Sequence, residues 1–274
     1  LAGDDDQAIY GWAGADVQRF QDEPAKNIIL PQSYRVPQAV QQIADQILNR
    51  IPDNRRIKKQ WASRPEGGSV DHVTSIEDLP LYEGDWLILA RTNDKLIKLK
   101  SILQEMAIYF EIKGRKSYKT RLYTAVKHYT RWTNGDKLSL SECKDLFEFL
   151  ELEQELKEER MYDLKEFNYS IEDQWYEVFK SDPEECLYIR EMLRNKEELS
   201  KPARVKLSTI HAAKGGEATN VLIILDNTKK IREAVDKSED KHDEEHRVWY
   251  VGVTRTKQNL YIMTPKREDR SYDI

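Results

Sequence analysis

The residues best suited to bind a ligand fall in three short segments of the chain. Residues 3–7 carry three aspartates and an amide, after a strand that we expect to end at residues 1–2, and α/β sheets bind ligands at the carboxyl ends of their strands. Residues 209–217 also follow a predicted strand, and their adjacent glycines allow close backbone approach. In residues 244–255 the two arginines are eight positions apart, so a helix projects them from related faces. The combination of the three segments predicts a ligand site.

Five motifs resemble those of the UvrD/Rep/PcrA-like superfamily 1 DNA helicases, in the order that the family has them. Residues 3–15, GDDDQAIYGWAGA, are similar to motif III, and Gln32-Ser-Tyr34-Arg35 is similar to motif IV. Residues 87–93 are similar to motif IVa, 206–217 to motif V and 244–255 to motif VI. The resemblance covers residues 1–132 and 203–264.

The resemblance implies a set of nucleotide-binding residues. Gln7 is expected beside the γ-phosphate and the attacking water, and Tyr34 is expected to stack on adenine. Arg35 and Arg255 are expected to reach the γ-phosphate, and Glu217 to accept a hydrogen bond from the ribose. The implied catalytic residues are therefore Gln7, Arg35 and Arg255, and the implied cofactors are ATP and Mg²⁺.

A second implied set binds single-stranded DNA or a junction of single-stranded and duplex DNA. Tyr10 and Trp12 are expected to stack on bases, a contact worth about 1–3 kcal/mol that tolerates any sequence. The other members, which contact the strand without reading its sequence, are Arg91, Asn93, Thr209 and His211. Core packing is the rival interpretation for the two aromatic residues.

Several positions depart from the family pattern. Gly216 and Ala218 replace a leucine and an aromatic residue, Ala13 replaces an arginine, and His246 replaces an arginine. We expect His246 to have no histidine or cysteine partner at the spacing of a metal site. We therefore predict no metal ligands in this chain.

The phosphate-binding G-x-x-x-x-G-K-[ST] motif is absent from the 274 residues. In the family, that motif and the Mg²⁺ carboxylate belong to the first RecA-like domain.

The chain is therefore expected to be the carboxyl portion of an ATP-dependent DNA helicase or translocase, moving 3′ to 5′, and to hydrolyse no ATP alone. The expected partner is the N-terminal RecA-like domain, and DNA repair and replication are the expected processes. The alternatives are the motor part of a helicase–nuclease and a DNA-binding remnant without enzymatic activity.

Short apolar runs alternate with helical periodicity over most of the chain, which predicts an α/β fold with a parallel, RecA-like sheet. The predicted strands are 28–30, 69–74, 86–90, 109–112, 205–209, 221–225 and 260–263, and the predicted helices are 37–50, 95–106 and 244–255. We assign residues 1–27 to the end of a first RecA-like domain, 28–132 and 203–274 to a second, and 133–202 to a small helical insertion that resembles a reduced domain 2B. Both edges of the insertion have loop composition, so we expect 136–199 to be removable without unfolding the rest.

Charge is distributed unevenly around a net charge of −5. Residues 91–131 contain eleven Lys and Arg against three Asp and Glu, whereas residues 136–198 contain twenty acidic against nine basic residues. The first segment predicts a basic DNA-binding surface, and solvated helix faces are the simpler interpretation of both. With no membrane-length apolar run, no secretory signal and two distant cysteines, the sequence predicts a soluble protein of the cytoplasm, associated with the nucleoid.

Overall fold

The structure is a computed structural model that describes residues 3–14, 16–22, 24, 28–167, 169 and 174–274, without the side chains of Trp12 and Glu268. The strand expected to end at residues 1–2 lies outside the described residues. The chain divides into two compact units. The first unit comprises Leu1–Ile102 and Arg204–Ile274, and the second comprises Leu103–Ala203.

Strands and helices alternate along most of the chain. The strands are β1 (Gln32–Pro37), β2 (Ala62–Arg64), β3 (Ser69–Val73), β4 (Trp86–Ala90), β5 (Phe110–Ile112), β6 (Arg115–Lys116), β7 (Leu138–Ser139), β8 (Met161–Tyr162), β9 (Val205–Thr209), β10 (Ala218–Ile224) and β11 (Thr256–Met263). The helices are α1 (Val17–Gln21), α2 (Gln38–Leu48), α3 (Asn93–Glu105), α4 (Thr120–Thr133), α5 (Leu140–Leu150), α6 (Trp175–Val178), α7 (Pro183–Arg194), α8 (Lys229–Lys237) and α9 (Glu239–Val253). Short 3₁₀ turns cover Asp5–Gln7, Gly11–Ala13, Asp53–Arg55, Ile76–Asp78, Leu164–Glu166 and Glu268–Arg270.

A parallel sheet forms the centre of the first unit. Its strands lie in the order β3–β11–β10–β4–β9, and each neighbouring pair is parallel. The inner strand β4 is buried along its whole length, as expected for a strand covered on both faces. Buried apolar residues of α2 and α9 join those of β10 and β11 in one core. The predicted α/β class with a mostly parallel sheet is confirmed.

The apolar run 28–30 is not the buried strand that its composition predicted. It has no regular secondary structure, and Ile28 and Leu30 are 83% and 80% exposed. Strand pairing starts instead at Gln32, opposite Ala62 of β2. Pro31, which has no N–H to donate, contributes its carbonyl oxygen to Ala62 N at 2.7 Å. Apolar composition favoured burial here, but no neighbouring strand pairs with these residues in the described structure.

The second unit is built around an aromatic core. Trp132 of α4 is fully buried, and its ring centroid lies 5.7 Å from that of Phe147 on α5 and 5.6 Å from that of Phe167. Ile189 of α7 belongs to the same buried cluster. Two antiparallel pairs, β5 with β6 and β7 with β8, complete the unit. These residues form a core separate from that of the parallel sheet.

The boundaries of this unit differ from the expected insertion 133–202, because the unit starts at Leu103. Helix α4 lies before the expected boundary, yet it packs against α5 and carries Trp132 into the shared core. The change from the basic segment 91–131 to the acidic segment 136–198 therefore falls inside the second unit and does not mark the edge of its core. Removal of 136–199 stays a prediction, and the deletion would take away Phe147 and Phe167, which pack on Trp132.

Within the described residues, no helix is both long enough and apolar enough to cross a membrane.

We expect Trp132→Ala to destabilise the second unit by about 3–5 kcal/mol, because it opens a cavity in the aromatic core. Hydrogen exchange should show lost protection in α4 and α5 while β4 and β10 keep theirs. The matched control is Lys127→Ala on α4, which removes an exposed side chain and should cost less than about 1 kcal/mol. Unchanged protection of α5 in the Trp132 variant would contradict the proposed core.

Candidate functional site

The predicted nucleotide residues gather around the amino ends of β10 and β11. Glu217 immediately precedes β10, and Arg255 lies between α9 and β11. Arg255 was predicted to lie on a helix with Arg247, but α9 ends at Val253, so the argument from related helix faces does not apply. Arg35 comes to the same place from β1.

Arg255 is the most deeply buried of these residues, with 1% of its surface exposed. Its Nε donates to the Val251 carbonyl at 2.9 Å, and its Nη2 lies 3.5 Å from Gln7 Oε1. Among the residues that the structure describes, no carboxylate lies within ion-pair distance of this guanidinium. Burial and the nearby charge of Arg35 lower the pKa of Arg255 to about 10, so the group stays protonated at neutral pH. A buried positive charge without a carboxylate partner is suited to receiving an anion.

Gln7 is held by both of its functional ends. Its Nε2 donates to Asp4 Oδ2 at 2.6 Å, which leaves Oε1 facing Arg255. Lys214 Nζ donates to the Gln7 carbonyl oxygen at 2.8 Å. The side chain of Gln7 is therefore positioned before any ligand binds.

The three aspartates before Gln7 surround an ammonium group. Lys59 Nζ lies 2.9 Å from Asp4 Oδ1 and 2.7 Å from Asp6 Oδ2, and it also contacts Asp5. Burial raises the pKa of Asp6, whereas at Asp5 the hydrogen bonds from Lys59 and Gln21 outweigh burial and lower the pKa. Oxygens of all three aspartates are close enough together to hold a metal ion. In this arrangement the lysine supplies the positive charge.

Glu217 and Tyr34 form the outer part of the group of predicted nucleotide residues around Arg255. Glu217 lies 3.6 Å from Arg35 Nη1 and 3.1 Å from Lys257 Nζ. The hydrogen bond from Lys257 and the charges of both cations lower the pKa of Glu217. Tyr34 is 86% exposed, so its ring is open to a planar partner. Arg35 Nε, in contrast, is buried without a hydrogen-bond partner.

The predicted DNA residues lie together around a cavity of about 450 Å³. Arg91 and Asn93 follow the carboxyl end of β4, and Thr209 and His211 lie at the carboxyl end of the parallel neighbour β9. Parallel pairing brings these two chain segments to the same edge of the sheet. The structure therefore brings four of the six predicted DNA residues into one cavity.

Arg91 is neutralised within that cavity by a residue that sequence analysis missed. Its Nε and Nη2 donate to Glu245, with Nη2 at 2.8 Å from Oε2. Glu245 also accepts a hydrogen bond from Trp249 Nε1 at 2.7 Å. Burial and the charge of Arg91 lower the pKa of His211, so its ring is neutral at pH 7. Because Arg91 is paired with Glu245, the groups that the cavity offers a ligand are chiefly the polar side chains of Asn93 and Thr209.

Tyr10 connects the two groups of residues. Its hydroxyl donates to the His211 carbonyl oxygen at 2.7 Å, and Lys214 Nζ lies 5.3 Å from its ring centroid. Lys214 also binds the Gln7 carbonyl oxygen. The segment that follows β9 therefore contacts residues 7–10 at both Gln7 and Tyr10. The Trp12 side chain, also a DNA prediction, lies outside the described residues.

Helix α8 supplies a further wall of the cavity that sequence analysis did not identify. Lys230 and Ile231 line it, and Lys241 and Glu244 contribute from α9. Residue 11 is tied to this wall, since Gly11 N donates to Glu244 Oε1 at 3.0 Å. The signal available in the sequence was the pair Lys229-Lys230 at the start of an amphipathic helix, but helical spacing alone does not show which lysine faces the cavity.

The basic segment 91–131 is not a single free surface, because it spans the boundary between the two units. Within the second unit, several of its cations pair with acidic residues of 136–198. These pairs are Lys119 with Asp182, Arg121 with Glu148 and Arg131 with Glu142. In the first unit, Lys95 Nζ lies 2.6 Å from Asp226 Oδ2. The local excess of positive charge in the sequence is thus partly cancelled by contacts between distant residues.

The family departures have simple structural settings. Gly216 accepts a hydrogen bond from Arg255 through its carbonyl oxygen, and Gly215 adopts a φ of +89°, in the left-handed region that favours glycine. His246 is buried, with its Nδ1 2.6 Å from the Tyr272 hydroxyl. Burial and the nearby His242 lower the pKa of His246 to about 4, so the ring is neutral at pH 7. Contrary to the expectation that it has no histidine partner, His242 Nε2 lies 3.2 Å from its Nε2.

Curated proteins that resemble the chain are named ATP-dependent DNA helicase PcrA. The match to the Bacillus subtilis (strain 168) protein extends over 383 positions, gaps included, at 21% identity and covers 97% of this chain and 51% of the relative. The Staphylococcus epidermidis (RP62A) protein is 26% identical over 164 residues, covering 51% of this chain and 22% of the relative. The chain therefore spans about a fifth to a half of the length of these relatives.

One solved structure that matches the chain is the C-terminal domain of a possible DNA helicase from Lactobacillus plantarum WCFS1. It is 12% identical, and the match covers 85% of this chain and 87% of that chain with a TM-score of 0.25. The family description "UvrD-like helicase C-terminal domain" matches residues 92–267, more than half of the chain. With its parallel α/β sheet and the motif residues gathered at the sheet's edges, the chain belongs to the UvrD-like helicase C-terminal domain family.

Proposed function

We propose that this chain is the second motor domain of an ATP-dependent DNA helicase or translocase that moves along single-stranded DNA in the 3′ to 5′ direction. The observation that carries the proposal is the buried guanidinium of Arg255, which has carbonyl and amide neighbours where a buried charge ordinarily has a carboxylate. A transferring phosphoryl group places negative charge at such an arginine.

The residues on the nucleotide side fit ATP. Arg255 and Arg35 offer two guanidinium groups to phosphate oxygens, and the exposed ring of Tyr34 suits a base. Glu217 offers carboxylate oxygens to a sugar hydroxyl, although Lys257 and Arg35 already contact them. ATP, when bound, supplies the phosphoryl group whose transfer releases free energy. The Mg²⁺ ligands and the phosphate-binding loop are expected in the N-terminal RecA-like partner domain.

Each group of this chain then has a distinct task. Arg255 and Arg35 stabilise charge that grows on the phosphoryl oxygens. Gln7, held by Asp4 and Arg255, orients a water through the second lone pair of its Oε1. Asn93, Thr209 and His211 line the cavity that holds a single DNA strand without reading its sequence, and Tyr10 contacts this group through the His211 carbonyl. Lys214, bound to Gln7 and close to Tyr10, passes a displacement from one group to the other. No described residue favours the helicase–nuclease or the non-enzymatic alternative.

We expect Arg255→Lys in the full-length protein to lower the kcat of DNA-stimulated ATP hydrolysis by about 10³-fold or more, with little change in ATP affinity. The reason is that a lysine cannot reproduce the planar fork that meets transition-state charge. Phosphate release gives kcat, and titration with a fluorescent nucleotide gives the dissociation constant.

Arg247→Lys is the matched control, because Arg247 is also a buried arginine of 244–255 but donates to the Arg55 carbonyl. It should keep near-normal kcat. Equal losses of binding and turnover in Arg255→Lys, or similar kcat losses in both variants, would assign Arg255 a structural role. Thermal unfolding of each variant checks that the fold persists.

The 274-residue chain by itself should show no measurable ATP hydrolysis, because its sequence contains no phosphate-binding loop. Phosphate release with and without oligo-dT is the measurement, and the full-length protein is the positive control. DNA-stimulated turnover by the chain that disappears in Arg255→Lys would overturn this prediction.

Lys230→Gln should reduce the slope of log binding constant against log salt concentration for oligo-dT by about 0.7, since one phosphate contact is lost. Lys229→Gln is the control, because Lys229 is 82% exposed, pairs with Glu233 and does not line the cavity. Fluorescence anisotropy of the full-length protein without nucleotide measures both. Identical slopes for the two variants would remove the cavity from the DNA path.

A further inference from the structure

Helix α9 carries a pair of histidines that the proposed motor function does not use. His242 and His246 are four residues apart, so they lie on neighbouring turns of one helix face. Their Nε2 atoms are 3.2 Å apart, and the rings meet edge to face with centroids 4.3 Å apart. The two distal nitrogens therefore lie at hydrogen-bond distance, one as donor and the other as acceptor, and an ion bound by both would replace that hydrogen bond.

The other nitrogen of each ring already has an oxygen partner. His246 Nδ1 lies 2.6 Å from the Tyr272 hydroxyl, and His242 Nδ1 lies 3.4 Å from Asp243 Oδ1. Partners of this kind orient histidines that bind metals and leave the distal nitrogen as the donor atom. Tyr272 is itself fixed, because its ring stacks on Trp249 with centroids 4.8 Å apart.

The separation of the two nitrogens suits a shared ion. Two nitrogens at about 2.0–2.1 Å from a tetrahedral metal are about 3.3 Å apart. We propose that His242 and His246 form a two-nitrogen chelate for a divalent transition metal such as Cu²⁺, Ni²⁺ or Zn²⁺, with water in the remaining positions. Imidazole ligands select these ions over Mg²⁺, which prefers oxygen.

Access and charge set the strength of the site. The His242 side chain is 41% exposed, so an ion can enter from solvent, whereas His246 is buried and preorganised. Arg50 and Arg247 place positive charge near His246 and oppose a cation, while Asp243 and Asp273 offset it. Bound metal would fix the first turns of α9 and, through Tyr272, the end of the chain.

The test is calorimetric titration of the tag-free 274-residue protein with Cu²⁺, Ni²⁺, Zn²⁺ and Mg²⁺. We expect one site that binds Cu²⁺ most tightly, no comparable binding of Mg²⁺, and a rise in Tm with the bound ion. His242→Gln should weaken binding at least about tenfold, because one of two protein ligands is lost. Tyr272→Phe, which keeps the ring, should weaken it by about 10–100-fold, because the partner that orients His246 is lost.

His72→Gln is the control, since His72 is an exposed histidine of β3 and should leave binding unchanged. His242→Gln decides the question even where His246→Gln fails to fold, because His242 is exposed. Unchanged affinity in His242→Gln, loss of affinity in His72→Gln, or no binding at about 100-fold excess of Cu²⁺, Ni²⁺ and Zn²⁺ would overturn the proposal. ATP hydrolysis by the full-length protein is not part of the readout, so failure of the motor proposal leaves this test intact.

Discussion

The parallel pairing of β9, β4 and β10 constrains everything around the two groups of motif residues. Because β9 and β10 run in the same direction with β4 between them, residues 210–217 must return from the carboxyl edge of the sheet to its amino edge. The segment starts at the cavity lined by Thr209 and His211 and ends at Glu217, beside Arg35 and Lys257. Residues 7–10 follow the same path, with Gln7 at Arg255 and Tyr10 at His211. Two short segments therefore contact both groups of motif residues, and the proposed coupling between the groups depends on these contacts.

Two arginines of the first unit, Arg91 and Arg255, illustrate different uses of charge. Arg91 and Glu245 form a paired, partly buried contact that satisfies both groups. Arg255 is more deeply buried and has only weaker dipolar neighbours among the described residues. An unpaired buried charge costs free energy, and an incoming anion removes that cost. The difference lies in the partner, because both side chains are guanidinium groups in polar motif segments.

The second unit uses charge chiefly for internal contacts. Its basic helix α4 and its acidic helix α5 are joined by Arg121 with Glu148 and by Arg131 with Glu142 above the aromatic core. Such exposed pairs contribute little individually, about 0–1 kcal/mol, so Trp132 and its neighbours supply most of the stability. Uneven charge along this part of the sequence therefore reflects which helices face each other.

The sequence by itself determined the α/β class, the family and the strands whose apolar runs end at turns. Strands β4 and β9 have the predicted bounds. In β4 a continuous apolar run between polar turns leaves little freedom in where a buried strand stops. The pattern at 28–30 was equally apolar and was misjudged, since burial also needs a neighbour to pair with. The i, i+4 spacing of His242 and His246 is present in the sequence, but spacing alone does not show that the two rings meet.

Only the tertiary structure decided which charges meet. Arg91 and Glu245 are 154 positions apart in the chain, and Lys59 reaches Asp6 across 53. No local pattern encodes such contacts, because they depend on which strands pair and on which helix covers them. The start of the second unit at Leu103 was likewise set by the packing of α4 on α5, a contact between helices whose sequences suggested different domains. Local sequence specifies elements through backbone and burial preferences, whereas the partners of buried charges are selected only when the whole chain has folded.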